Sequence, residues 1–496
     1  MMRKNSRTEI CTTIFIPVAS SLILLLSSIY IRNKRLPKTE EKQDDVNITI
    51  NEKCVKSPPY VKCSVVETNK ALSTKDYPKY IYQWSKECGQ IFRLNLLGIP
   101  HPVIITGDPY LVREVLNDRN SYKSRGVKKY RIIHDGGDDL FTSEGSFWKH
   151  SRKHIAPAFS NKHIRRMLEV ISRQTRSLIG KLDDLASRKE SFDVGIMLID
   201  LTLSIICEAA FEYMISLEEK QMFLEELEIG FKEATRSSVP FRWRFGSFIP
   251  SVRRARLAGK KLLAFGMKML DSYRNLECPV TGTVIDLIAN NDQYKSDKER
   301  ASDIIILLVG GHDTTAYTMA WALLELSKNE EEQMKLHSNL VSLPESDRGN
   351  SEMLKNVINE SLRLKPVTVG TVRMITRDVL VHKSEANGLE HDILIERGSS
   401  VMCSQTLLNR NPNYYDNPDD FKPSRWNNMS SDALASFLPF ALGRRSCVGQ
   451  SLAKTQMVHV LAALCSAYHF TIANEGSDDL ILTYKPVGAR LYVNKI

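Results

Sequence analysis

No CxxC pair occurs in this chain of 496 residues, and its nine cysteines, at positions 11, 54, 63, 88, 207, 278, 403, 447 and 465, are odd in number. Neither a disulfide framework nor a zinc module is suggested. Cys54 and Cys63 form the only close pair, which leaves a small stapled loop as the one local bridge open, and most of the others read as small core residues in a reducing compartment. Long basic runs are missing too. The net charge of +10 and pI near 9.0 come from lysines and arginines spread along the chain, which fits a solvated surface and gives no nucleic-acid footprint. Beyond Lys75 there is no repeat, low-complexity tract or second linker, so one domain over residues 75–496 is the simplest partition. With 42% of residues hydrophobic and 25% charged, a large core is assured.

What is present first is an apolar run. Ile10–Ile31, ICTTIFIPVASSLILLLSSIYI, carries no charge and at helical rise is long enough for a bilayer core of about 30 Å. A cleaved signal peptide is the alternative, but the run exceeds the usual h-region of about 7 to 15 residues and no A-x-A site follows. Residues 1–35 are therefore expected to be a membrane anchor and 36–74 a polar linker that includes KSPPYVK. Arg3, Lys4 and Arg7 precede the run, and Arg32, Lys34, Arg35, Lys38 and Lys42 follow it, which places the C-terminal part on the cytosolic side.

Apolar residues at three- and four-residue spacing predict helices over 172–185, 217–234, 255–273 and 351–364, and short alternating runs in QIFRLNLLG and PVIITG predict strands. The fold class is mainly α with a minor β region. Residues 301–327 are apolar on all sides, as in a helix through a large core, with a second membrane span as the alternative. VGGHDTTAYT interrupts that helix at its centre. Either it is a bend with threonines bonded back to their own carbonyls, or it is an opening beside a ligand in which Asp313 and Thr314 handle protons. His312 there reads as a plain helix residue, with solvent or a cofactor as its other possible facings.

FALGRRSCVGQ, Phe440–Gln450, puts one thiol among glycines and arginines. Such a loop lets a flat cofactor approach the backbone while arginine offsets its negative charge. Phe440, Gly443, Arg445, Cys447 and Gly449 meet the pattern F-x-x-G-x-R-x-C-x-G, which strongly resembles the haem-binding loop of cytochrome P-450 enzymes. The resemblance continues in the family's order through GGHDTT at Gly310–Thr315 and Glu360 with Arg363 in ESLR, with Arg425 in the meander PDDFKPSRW and Trp148 with Arg152 in FWKHSR.

It implies a single large helical domain with haem between the central helix and the cysteine loop, preceded by one transmembrane helix. Cys447 would be the axial thiolate, whose electron donation favours O–O cleavage, with Thr314 and Asp313 supplying protons. Trp148, Arg152, Arg373 and Arg445 would hold the propionates, Phe440 would pack near the sulfur, and Gly443 and Gly449 would shape the loop. Glu360, Arg363 and Arg425 would lock the core. The implied activity is monooxygenation using haem b, dioxygen and NADPH electrons from a separate flavoprotein reductase, with a small b-type cytochrome as a second donor. Ile305, Val309, Val367 and Val369 are the pocket candidates, apolar enough for a lipid-like, sterol or terpenoid substrate. A reductase-independent isomerase or dehydratase and a non-catalytic haem-binding protein are the rival functions. The endoplasmic reticulum is the expected location. Two departures are a weak proline hinge in KSPPYVKCS and Val369 where a proline is common; residues 381–397 look like a surface insertion. FRWRFGSFIP could dip into lipid headgroups or pack on the core. Lys149 and Lys153 share one helix side, as a docking surface for an acidic partner would require.

Overall fold

The computed structural model describes residues 48–50, 53–72, 76–96, 101–236, 242, 246–384, 387 and 389–496. The anchor expected at Ile10–Ile31 lies outside them. The chain divides into two compact units, Met1–Ser57 and Pro58–Ile496. The first contains an antiparallel pair, Ile48–Ile50 with Lys53–Lys56. The second begins earlier than the polar composition of residues 58–74 suggested. Its helix Val65–Leu72 buries Ala71, which joins Val61, Ile81 and Trp84 in one apolar cluster.

Helices dominate the second unit. The four stretches with helical spacing lie in Asn161–Arg188, Leu217–Arg236, Pro250–Arg274 and Glu352–Leu364, and the two alternating runs form strands Ile91–Leu94 and Val103–Thr106. The central helix, Asp297–Lys328, starts at Ser296, whose hydroxyl accepts the Glu299 N–H, with Asp297 and Glu299 in its first turn and Lys328 in its last. Those charges match the helix dipole. The helix continues through Gly310 and Gly311. Gly311 instead permits close approach, because a Cβ there would lie 2.8 Å from Ile206 of the Val194–Phe211 helix. Among the described residues, Val194–Phe211 is the one helix long and apolar enough to cross a membrane, and most of it is buried in the core.

The main sheet runs Ile91–Leu94, Val103–Thr106, Ser400–Ser404, Gly370–Met374, with only the middle pair parallel. Tyr468–Asn474, Arg490–Lys495 and Phe192–Asp193 form a second sheet, and Ser477–Leu480 pairs with Tyr484–Val487. The stretch read as an insertion at 381–397 is built on a hairpin, Val379–Val381 against Asp392–Ile395. Cys63 is a free thiol, and the side chain of Cys54, the other half of the stapled loop considered, lies outside the described residues. Of FRWRFGSFIP, Phe248 is 84% exposed, so that ring is not packed on the core.

Candidate active site

The cysteine loop is a tight backbone structure that enters the helix Gln450–Ala467. Cys447 N–H donates to Phe440 O at 2.9 Å, and Ser446 N–H to Gly443 O at 3.0 Å. Gly443 has φ +73°, and a Cβ there would sit 2.3 Å from Leu116 O, so only glycine fits. Ala441 also takes a positive φ of 56°. The half-buried Phe440 packs against the core, with Lys454 Nζ 5.5 Å from its ring centre. Gly449 caps the following helix. Cys447 itself is accessible, although burial pushes its thiol up while the Gly449 N–H and the Arg152 charge pull it down.

Cationic groups gather beside this loop. The Arg445 guanidinium stacks 3.8 Å from the buried Trp148 ring, pairs with Glu144 at 2.5 Å and donates to Ser143 O at 2.7 Å. Burial brings it down to about 10, against the upward pull of Glu144. Among the described residues, buried Arg373 donates to neutral acceptors, Thr371 Oγ1 at 3.0 Å and Val372 O at 3.1 Å. Lys123, which no sequence pattern singles out, joins them. Its Nζ donates to Phe141 O at 2.5 Å, and burial with the Arg373 and Arg445 charges brings it down to about 7. The cluster has more cations than carboxylates, and Arg445 Nη1 is buried without a partner. That excess suits a guest with carboxylates of its own.

Glu360 and Arg363, whose spacing alone would suit a solvated pair, are both fully buried. Arg363 places its five N–H groups on Glu360 Oε2 and Oε1 at 2.9 and 2.8 Å, Asn409 O at 2.9 Å, Pro418 O at 2.6 Å and Asp420 O at 3.0 Å. Arg425 Nε donates to Glu360 Oε1 at 2.9 Å, as the motif order implied. Two donors had gone unseen, Trp426 Nε1 at 2.9 Å and the Lys422 N–H at 2.8 Å. Burial raises the Glu360 carboxyl, but these donors and the arginine charges outweigh it and hold it below the usual range.

Along the largely buried middle of the central helix, Leu307, Gly310, Thr314 and Tyr317 make an accessible stripe at i, i+3, i+7 and i+10, with Gly311 and Asp313 partly accessible beside it. A Cβ added at Gly310 would meet nothing within 4 Å. Thr314 Oγ1 donates to Gly310 O at 3.0 Å, so the back-bonded threonine and the opening occur together. Asp313 accepts from Thr483 Oγ1 at 2.5 Å, a partner on the turn of the Ser477–Val487 hairpin that sequence spacing does not reveal. His312 faces neither solvent nor the stripe. It is fully buried, its Nδ1 is 2.7 Å from Leu308 O, its ring meets Phe223 edge-on, and burial lowers its pKa. Of the pocket candidates, Ile305 is a correction: it is fully buried and its Cγ1 lies against Gly266, because it points from the opposite side of the helix. Val309 is also buried, off the stripe. Val367, buried, accepts the Tyr484 N–H at 2.8 Å, and half-buried Val369 accepts the Gln405 N–H at 2.9 Å.

An accessible thiol in a glycine-built loop, an accessible stripe on the central helix and an arginine-rich edge with an orphaned donor fit a haem-thiolate protein. Residues 58–489 match the sequence model of the family described as Cytochrome P450, and the chain belongs to that family. It is a P450 monooxygenase, for which the family implies haem and dioxygen. It is 27% identical over 79% of its length to the chloroplastic protein LUTEIN DEFICIENT 5 of Arabidopsis thaliana, covering 69% of that protein. It is 25% identical over 81% of its length to the mitochondrial sterol 26-hydroxylase of Rattus norvegicus, covering 79% of it. The crystal structure of a cytochrome P450, CYP102L1, superposes with a TM-score of 0.70 over 85% of this chain and 98% of that one, at 22% identity.

Proposed function

We propose that the chain is a membrane-anchored microsomal monooxygenase, held at the endoplasmic reticulum by residues 1–35, that inserts one atom of dioxygen into a lipid-like substrate such as a sterol or terpenoid. The observation that carries this reading is Thr314 on the accessible stripe of the central helix with Asp313 beside it, in a chain whose Cys447 thiol is accessible within the glycine loop. An isomerase or dehydratase would have no use for that acid and alcohol.

Cys447 would hold the iron of haem b through its thiolate, and the group would supply the reductive activation of dioxygen. Trp148, Arg152, Arg373, Arg445 and Lys123 would neutralise and orient its carboxylates, while Phe440, Gly443 and Gly449 shape the sulfur's surroundings. Thr314 and Asp313 would relay protons, with Thr483 aiming the Asp313 carboxylate. Val367 and Val369 would border an apolar pocket that excludes water. A sterol hydroxylase among the relatives supports a hydrophobic substrate.

The test is electron use. Thr314→Ala is expected to keep its haem while product per NADPH falls several-fold and peroxide rises, and Thr483→Val to follow in the same direction with a smaller change. Wild-type coupling in both variants would remove the proposed proton route.

Electrons would come from NADPH through a separate flavoprotein reductase, with a small b-type cytochrome as a second donor. Lys149 and Lys153 are exposed on the helix that turns Trp148 inward, and would meet an acidic docking face. A Lys149→Glu, Lys153→Glu double variant is expected to slow reductase-supported turnover, most at low salt, and to spare peroxide-supported turnover. Equal loss in both assays would mean damage to the site and no docking role.

A further inference from the structure

We infer that Asp303, on the central helix two turns before Gly310, is a positioning residue for the haem edge: it fastens the Asp138–Glu144 loop and the Gly145–Ile155 helix, and so fixes Trp148 and the contacts of Arg445. This rests on the haem site proposed above. Asp303 is fully buried, and three donors converge on its carboxylate. Leu140 N–H donates to Oδ1 at 2.5 Å, Tyr294 OH to Oδ2 at 2.5 Å, and the Ser151 hydroxyl adds a third hydrogen bond. Two of these donors, Leu140 and Ser151, belong to different pieces of the edge. Leu140 sits three residues before Ser143, whose carbonyl holds Arg445, and four before Glu144, its ion-pair partner. Ser151 lies between Trp148 and Arg152 on their own helix.

The segment leading into that loop is strapped to the start of the central helix in two more places. Lys298 Nζ reaches Asp135 O at 2.9 Å and Asp135 Oδ2 at 3.2 Å, and Gly137 approaches so closely that a Cβ would lie 2.2 Å from Ser302 Oγ. Within the loop, Asp139 accepts the Phe141 and Thr142 N–H groups, both at 2.7 Å, and faces His134 Nε2 at 3.0 Å. Arg131 bridges Thr142 Oγ1 at 2.7 Å and Ser143 Oγ at 2.9 Å. The loop is thus internally rigid, and Asp303 is its deepest tie to the helix that carries Thr314. Burial, with the neighbouring Asp139 charge, raises the Asp303 carboxyl to about 7, against the pull of its donors. A carboxyl in that position costs stability when charged, and an apolar residue would avoid the cost while losing the ties.

The chemistry predicts which substitute works. Asparagine keeps an oxygen for Leu140 N–H, which can only donate, and its amide can donate to the Tyr294 and Ser151 hydroxyls, which can also accept. Leucine removes every tie. The measurement is haem loss from the holoprotein to an excess of haem-scavenging apoprotein, with the propionate bending band read by resonance Raman. Asp303→Leu is expected to lose haem about tenfold faster and to shift that band, the effect of one buried N–H left without an acceptor. Asp303→Asn should stay close to wild type in both. Leu336→Ala, a buried core truncation in Glu330–Ser342, sets the haem loss caused by lowered stability alone. If Asp303→Leu does not accumulate, Tyr294→Phe removes one donor and carries the same comparison. Haem loss no faster than in Leu336→Ala at matched unfolding temperature, an unmoved band, or an asparagine variant as poor as leucine would overturn the proposal. A wild-type protein that takes up no haem would sink the underlying site as well.

Discussion

Cys447→Ser is expected to abolish the red-shifted absorption of the reduced carbon monoxide complex, because a neutral hydroxyl cannot act as a thiolate donor. The loop should survive the change. Its shape comes from the Cys447 N–H to Phe440 O bond and the positive φ of Gly443, neither of which involves the sulfur. The variant should therefore be expressed and folded, and the effect confined to the ligand. The reduced-carbonyl difference spectrum of wild type and variant, at equal protein concentration, checks it. An unchanged band would assign the ligand to another residue.

Arg363→Ala should leave little or no holoprotein. The truncation strips five hydrogen bonds from the interior, taking two from the Glu360 carboxylate and one each from the Asn409, Pro418 and Asp420 carbonyls. Breaking a buried pair from one side costs about 3–5 kcal/mol, a large part of the roughly 5–15 kcal/mol that holds a domain together. Arg425→Ala should be milder, since Arg425 gives Glu360 one hydrogen bond and the two from Arg363 remain. The pH dependence follows from the lowered Glu360 carboxyl. Its pairing stabilises the fold above the ordinary glutamate value of about 4.3, and that contribution fades as pH falls through the lowered one. Haem content after purification and thermal unfolding against pH measure both effects.

The contiguous motifs were legible because their chemistry is written in neighbouring residues. Phe440 to Gly449 is one loop, and its glycine is required by a backbone angle that the spacing announces. Partners drawn from distant segments were not. Thr483 meets Asp313 across 170 positions, and nothing local to either predicts the meeting. Lys123, Trp426 and the three donors around Asp303 escaped for the same reason. Ile305 went astray because a helix apolar on every side hides which face is core and which is pocket. The start of the second unit was also missed, because a short amphipathic helix such as Val65–Leu72 buries too few side chains to stand out from a polar stretch.

Oxygen transfer is the central claim, and isotopic labelling tests it most directly. With heavy dioxygen, NADPH and a flavoprotein reductase, a sterol or terpenoid turned over by the wild-type protein should gain one labelled oxygen atom, detected by mass spectrometry. Product whose new oxygen comes from water, or product formed at the same rate without NADPH and reductase, would contradict a reductase-dependent monooxygenase.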